Sequence, residues 1–244
     1  MKKGFFRKML VIMNKELLVY FTTPIAYIVF SVFLLSTGFY FFILSPFFFF
    51  GQAEMREFFH ALPAIFSIAV PAVTMRLFSE EKHTGSMEIL MTLPVTNYDV
   101  IMGKFLAATA FTSVMLIPTF VYVLTVVLVG SLDPGPVVGG YLGAVFLAAA
   151  FSAVGVLSSS ISRNQIVAFI IGVAICITLT LIDYFLFFLP VALVNFFQHL
   201  GVNYHFRNIA RGIIDSRDII YFLSVIALAV MGTEKILSNR STAQ

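Results

Sequence analysis

The chain alternates between long apolar blocks and short polar ones, and the apolar blocks are long enough to cross a membrane. No charged residue occurs from Leu17 to Ala53. About 20 apolar residues suffice to cross a bilayer as a helix, so a first span is predicted over 24–44. The second, at about 61–78, occupies a shorter uncharged interval between Glu57 and Arg76 and carries Pro63 and Pro71. Those prolines predict a helix that is kinked or packed inside a bundle. Before the third span, 104–130, stands Thr96-Asn97-Tyr98-Asp99, whose hydroxyl and acid at a spacing of three form a helix-start signal. That helix is expected to begin in water and to enter lipid after Lys104. Asp133-Pro134-Gly135-Pro136 turns the chain into a fourth span, 137–161, and Ser162-Arg163-Asn164-Gln165 into a fifth, 166–189; a short sixth follows at 219–233.

The segments between the spans have patterns of their own. Residues 1–23 set Lys2, Lys3, Arg7, Lys8 and Lys15 beside Phe5, Phe6, Met9, Leu10, Ile12, Met13, Leu17 and Leu18, which predicts a helix lying in the membrane interface. The Phe47–Phe50 run reads as an aromatic anchor at the far interface. Residues 75–104 gather Arg76, Glu80, Glu81, Lys82, Glu88, Asp99 and Lys104 into a polar island that must face water. Within it, Met87, Ile89, Leu90, Met91 and Leu93, flanked by Gly85 and Pro94, predict a brief helix presenting an apolar face outside the membrane. Such a face suits a groove on a soluble partner. In the 190–218 segment, Phe206, Ile209, Ala210, Ile213 and Ile214 fall opposite Arg207, Asn208, Arg211 and Asp215, the pattern of a small amphipathic helix at the outer surface. Along the fourth span Gly140, Ala144, Ala148 and Ser152 recur every four residues, and Gly139 and Gly143 make a GxxxG. Small residues on one face let backbones approach, so this stripe marks helix packing or a subunit seam.

Composition then fixes the class. The chain has 60% hydrophobic and 11% charged residues, whereas soluble domains carry about 25% charged and roughly 45–50% apolar residues. Its mean hydropathy is +1.00. It reads as an all-α integral membrane protein of six transmembrane helices, forming one transmembrane domain over 1–244 with no room for a soluble catalytic domain. The single Cys176 excludes an intramolecular disulfide framework and a thiol metal cluster. A net charge of +3 raises the question of nucleic acid, but membrane orientation explains the basic residues better. An even number of spans puts both termini on one side. If that side is cytoplasmic, Lys2, Lys3, Arg7, Lys8, Lys15, Arg76, Lys82, Lys104, Arg163, Lys235 and Arg240 are inside, against Arg56, Arg207, Arg211 and Arg217 outside. The positive-inside rule selects this orientation and places the polar island in the cytoplasm.

Little points to catalysis. The phosphate-cradling G-x-x-x-x-G-K-[ST], H-E-x-x-H and G-x-S-x-G motifs are all absent. His60, His83, His199 and His205 are dispersed, without convergent metal ligands. Asp183 stands in the outer part of the fifth span, where an intramembrane carboxylate costs about 2.5–3.5 kcal/mol on insertion scales and is a functional candidate. Two further classes stay open: a membrane-embedded enzyme using Asp183 with His199 or His205, and a transporter or channel that works without an ATPase.

The residues Arg76-x-x-x-x-Glu81-x-x-x-Gly85-x-x-Glu88-x-Leu90-x-x-x-Pro94-Val95-Thr96 resemble the cytoplasmic signature of type-2 ABC permeases, with Ser86 and Met91 where Thr and Leu are commoner. The resemblance implies that residues 75–104 carry the coupling helix of an exporter subunit. Glu81, Gly85, Glu88, Ile89, Leu90, Leu93 and Pro94 would then couple it to a separate ATP-binding subunit. By the same resemblance ATP and magnesium are used by that partner and no cofactor is bound directly. Two permease chains, identical or paralogous, would pair in the bacterial cytoplasmic membrane. Asp183, His205, Phe206, Arg211 and Asp215 become candidates for the outer gate or path. Lys15-Glu16-Leu17, Phe21-x-x-Pro24-Ile25-Ala26-Tyr27, Tyr204-His205-Phe206 and Arg211-Gly212-Ile213-Ile214-Asp215-x-Arg217-Asp218 are similar to the branch that includes gliding-motility and nitrous-oxide-reductase maturation permeases.

Overall fold

The computed structural model describes residues 2–44, 54–87, 95–130, 132–185, 190–213 and 215–241, and every regular element among them is helical. Helix α1 (Lys2–Thr22) ends where Pro24 opens α2 (Pro24–Phe39), which continues as a wide turn through Leu44. Proline suits a first helical position, because its missing N–H would have no partner there anyway. Next come α3 (Arg56–Thr74) and α4 (Arg76–Thr84), interrupted only at Met75, whose N–H still reaches the Pro71 carbonyl. Helix α5 (Asn97–Val114) passes through a tight turn containing Pro118 into α6 (Phe120–Val129). Helices α7 (Pro134–Ile161), α8 (Gln165–Phe185), α9 (Val191–Gln198), α10 (Val202–Ala210) and α11 (Ser216–Ser241) complete the chain.

Among the described residues six helical stretches are long and apolar enough to cross a membrane: Pro24–Leu44, Arg56–Thr84, Asn97–Val129, Pro134–Ile161, Gln165–Phe185 and Ser216–Asn239. The all-helical, six-span class expected from the apolar pattern is the one observed. Helices also run past their apolar stretches. The polar residues from Ser79 to Thr84 stay helical, and so do Glu234 and Lys235. Helix geometry satisfies the backbone wherever lipid ends, so hydropathy marks the lipid boundary rather than the end of the helix.

Helix α7 is the axis of the bundle, packing against α3, α4, α5, α8, α10 and α11. The α3–α4 and α7 stretches have 67% and 61% of their apolar windows buried, against 17–28% for the other four. Small residues explain the difference, because association in lipid depends on close van der Waals contact. A Cβ on Gly140 would fall 2.3 Å from the Phe59 ring, and one on Gly155 would fall 1.9 Å from the Thr74 hydroxyl. Hydroxyls in the spans turn back onto their own helices: Thr112 bonds the Ala108 carbonyl, Thr180 that of Cys176 and Thr233 that of Ala229. Such back-bonding satisfies the group without a ligand.

Candidate functional site

Two polar clusters sit at opposite ends of α7. That helix, of 28 residues, is about 40 Å long at 1.5 Å per residue. One end meets α10 at Gly139, and the other meets Lys82 at the Ser160 carbonyl.

At the Lys104 end the centre is a lysine with 1% of its side chain exposed. Lys104 Nζ donates to Glu16 Oε1 at 2.9 Å, Glu81 Oε1 at 2.8 Å and the Leu77 carbonyl at 2.7 Å. One ammonium has three donors, and all three are used. It joins α1, α4 and α5, elements up to 88 residues apart in sequence. Lys15, 62% exposed, lies 3.9 Å from both carboxylates. The Phe78 ring flanks the buried ammonium at 5.2 Å. Beside this cluster the Arg76 guanidinium lies 5.1 Å from the centre of the Tyr20 ring, which itself stacks on Phe111 at 4.9 Å. Burial, and then the nearby Glu16 charge, push the Tyr20 phenol far above its ordinary range. It therefore stays neutral and donates to the Val73 carbonyl at 3.3 Å.

The feet of the polar island are fastened on both sides. Lys82 donates to the Ser160 carbonyl, placing a cation at the carboxyl end of α7 where unpaired carbonyls and the helix dipole favour it. Gly85 takes φ 75°, a left-handed conformation that closes α4 and that a Cβ would strain. On the return, Thr96 and Asp99 form a reciprocal capping box at the start of α5, with Thr96 N to Asp99 Oδ2 at 2.9 Å and Asp99 N to Thr96 Oγ1 at 3.2 Å. Of the expected coupling residues, Glu81 and Gly85 belong to this framework. Glu88, Ile89, Leu90, Leu93 and Pro94 lie outside the described residues.

At the His205 end, α10 lies in the small-residue stripe of α7. A Cβ on Gly139 would come within 2.3 Å of the Ile209 carbonyl, and one on Gly143 within 3.2 Å of Ile209 and Phe206 side-chain carbons. Ala144 and Ala148 are fully buried, and the Ser152 hydroxyl is 3.4 Å from that of Thr112. The GxxxG face is thus filled by a helix of the same chain. His205 Nδ1 is 2.6 Å from Asp218 Oδ1, its Nε2 is 3.1 Å from the His199 carbonyl, and its ring stacks on Tyr221 at 4.1 Å. Asn203 donates to the Thr180 carbonyl at 2.7 Å and Tyr221 to the Leu200 carbonyl at 2.7 Å. Arg207 reaches His60 of α3, Nη2 to Nε2 at 2.8 Å.

Of the expected outer residues, Asp183 lies within electrostatic reach of His205 and Arg207 at the start of α10, while Arg211 and Asp215 stand apart from them at the surface. His205 and Phe206 are buried in the α10 contact, and Asp183 abuts Gly201, where a Cβ would fall 2.3 Å from Oδ1. The carboxylate that His205 holds is Asp218 rather than Asp183. Arg211 and Asp215 are exposed; Asp215 Oδ1 accepts from the Arg217 N–H at 3.0 Å and so opens α11. The amphipathic helix is shorter than the pattern over 206–214 suggests. Gly212, at φ 84°, ends it, which leaves Ile213 64% exposed, while Ile214 lies outside the described residues. Lys104 and Glu16, and likewise His60 and Asp218, are visible in the sequence but not as partners, and nothing there points to Asn203 or Tyr221. The one signal for the first pair is that Glu16 and Lys104 each stand at the edge of a long apolar run.

No individual curated protein matches the chain. The model of the family described as ABC-2 family transporter protein matches residues 10–240, nearly the whole six-helix bundle with both of its polar ends. The chain is therefore a multi-pass membrane component of an ABC transporter and belongs to the ABC-2 transporter family.

Proposed function

We propose that this chain is the permease subunit through which a separate ATP-binding subunit drives export, receiving motion on the 75–104 loop in the cytoplasm. The observation that carries this reading is the Lys104 cluster. Both arms of the loop lead into elements that are ionically bound to one another and to α1, and Lys82 ties the outgoing arm to the central helix. A displacement of the loop is then shared by α1, α4, α5 and α7 instead of being absorbed at a flexible root. ATP and magnesium act on the partner, whose differential affinity for two states supplies the work. Two permease chains pair around the path, and the α10 layer forms its outer closure. Membership of the branch with gliding-motility and nitrous-oxide-reductase maturation permeases is part of the proposal, supported by the Lys15-Glu16 and His205-Phe206 positions.

The test is a tagged pull-down in mild detergent from cells that also express the candidate ATPase, comparing the native chain with Glu88→Arg plus Leu90→Asp at equal membrane insertion. Recovery of an ATPase with the native chain and its loss from the variant is the expected result. Failure of the native chain to retain any ATPase in several gentle detergents overturns the reading.

A further inference from the structure

Between α1 and α4, at the Lys104 end, lies a crevice of about 220 Å³, where a single water needs only about 10–15 Å³. Its charged lining is Lys15, Glu16, Arg76, Glu80, Glu81 and Lys104, three cations and three carboxylates with no net charge. Two atoms in it have no hydrogen-bond partner among the described residues, and they are opposite in kind. Arg76, 8% exposed, has a buried Nη2 with no acceptor. Glu81 Oε2 is buried with no donor, because Lys104 is bound to the other oxygen. Tyr20 offers Arg76 only a neutral ring face. A buried guanidinium N–H and a buried carboxylate oxygen left this way are costly, and no described residue supplies their partners, so the pair fits a ligand held in the crevice.

The partner must bring an anionic acceptor and a cationic N–H donor together, and must reach a site at the polar margin of a membrane span. Val19, 37% exposed, stands on the rim, and Leu18 beside it in sequence is 67% exposed, so α1 offers an apolar surface next to the polar crevice. We propose that the crevice binds the headgroup of a phospholipid carrying a primary ammonium, the phosphoethanolamine type. The phosphate accepts from Arg76 Nη2 and pairs with Lys15. The ammonium donates to Glu81 Oε2 beside Glu80, and the acyl chains leave along α1. A quaternary ammonium has no N–H to give Glu81, and an anionic glycerol headgroup brings no cation, so the site discriminates among lipids of the same tail. The lipid fixes α1 to α4 at the root of the loop. This inference does not depend on whether an ATPase docks there.

The full-length chain, delipidated in detergent, is given palmitoyl-oleoyl phosphatidylethanolamine, phosphatidylcholine or phosphatidylglycerol, and lipid retention is read by native mass spectrometry. Free phosphoethanolamine is included as a soluble competitor. One phosphatidylethanolamine is expected to be retained per chain, about tenfold more tightly than the other two, as for one charge-assisted hydrogen bond. Arg76→Gln is expected to abolish the preference. Thr84→Tyr fills the crevice without touching its charges, and it is expected to do the same should Arg76→Gln fail to fold. Equal retention of phosphatidylcholine or phosphatidylglycerol, an undiminished preference in both variants, or binding of free phosphoethanolamine without the lipid overturns the proposal. Because the readout uses the permease alone, loss of ATPase recovery in the pull-down leaves it unaffected.

Discussion

The two ends of the bundle solve the same problem, polar groups beside lipid, in different ways. At the Lys104 end one buried cation on α5 holds a carboxylate of α1 and a carboxylate and a carbonyl of α4. At the His205 end a short helix is seated by shape in the stripe of α7 and then locked by polar contacts, of which the His205–Asp218 pair is the most buried. Full charges attract over distance but are costly to bury unpaired, so the first end is strong only while every member is present. Packing contacts fall away within a fraction of an ångström but leave no orphaned charge when lost. The first arrangement ties three helices through one ammonium, whereas the second combines shape with the buried pair His205–Asp218.

The largest effect is expected from Lys104→Met, which strands Glu16 and Glu81. Breaking a buried pair from one side costs about 3–5 kcal/mol, so thermal unfolding in detergent should drop sharply. Adding Glu16→Gln and Glu81→Gln to Lys104→Met should recover part of the loss. No recovery in the triple variant would show that packing rather than charge holds this end. Removing the ring in His205→Ala should cost about 1.5–3 kcal/mol, the range for a hydrogen bond to a charged group. It should also raise protease or hydrogen-exchange access in 202–210 while leaving ATPase recovery intact; loss of the ATPase would mean that the ends are not separable. Gly139→Ala sets a methyl against the Ile209 carbonyl, an overpacking worth about 1–3 kcal/mol. Hydrogen exchange should show the α10 segment loosened and the Lys104 end unchanged. The smallest effect is expected from Thr96→Ala, about 1 kcal/mol for loss of a helix cap. It should be visible in thermal stability and in fraying at the start of α5.

Much of the fold was legible because lipid imposes a simple rule: backbone groups must pair within the segment, and side chains facing tails must be apolar. The uncharged run from Leu17 to Ala53 and the apolar stretches after Lys104 and Gln165 follow it directly. The tight turn at Pro118 between α5 and α6 is not marked by hydropathy, since apolar residues continue through it. The small-residue stripe announced a close approach at Gly139 and Gly143, but not that α10 of the same chain would make it. That Asp183 and His205 come near one another, and that the carboxylate bonded to His205 is Asp218, follows from α10 and α11 meeting across a turn at Gly212, which no local pattern records.

The amino-acid sequence by itself determined the membrane class, the six crossings, the polar island and the capping signal at Thr96 and Asp99, all properties of neighbouring residues or of local period. Only the tertiary structure decided which charge meets which. Glu16, Glu81 and Lys104 are separated by as many as 88 positions, and an ion pair depends on distance in space, which no local pattern records. The same holds for Arg76 Nη2 and Glu81 Oε2, which find no partner among the described residues: a residue's type states that it wants a partner, and only the packing around it states which residues supply one.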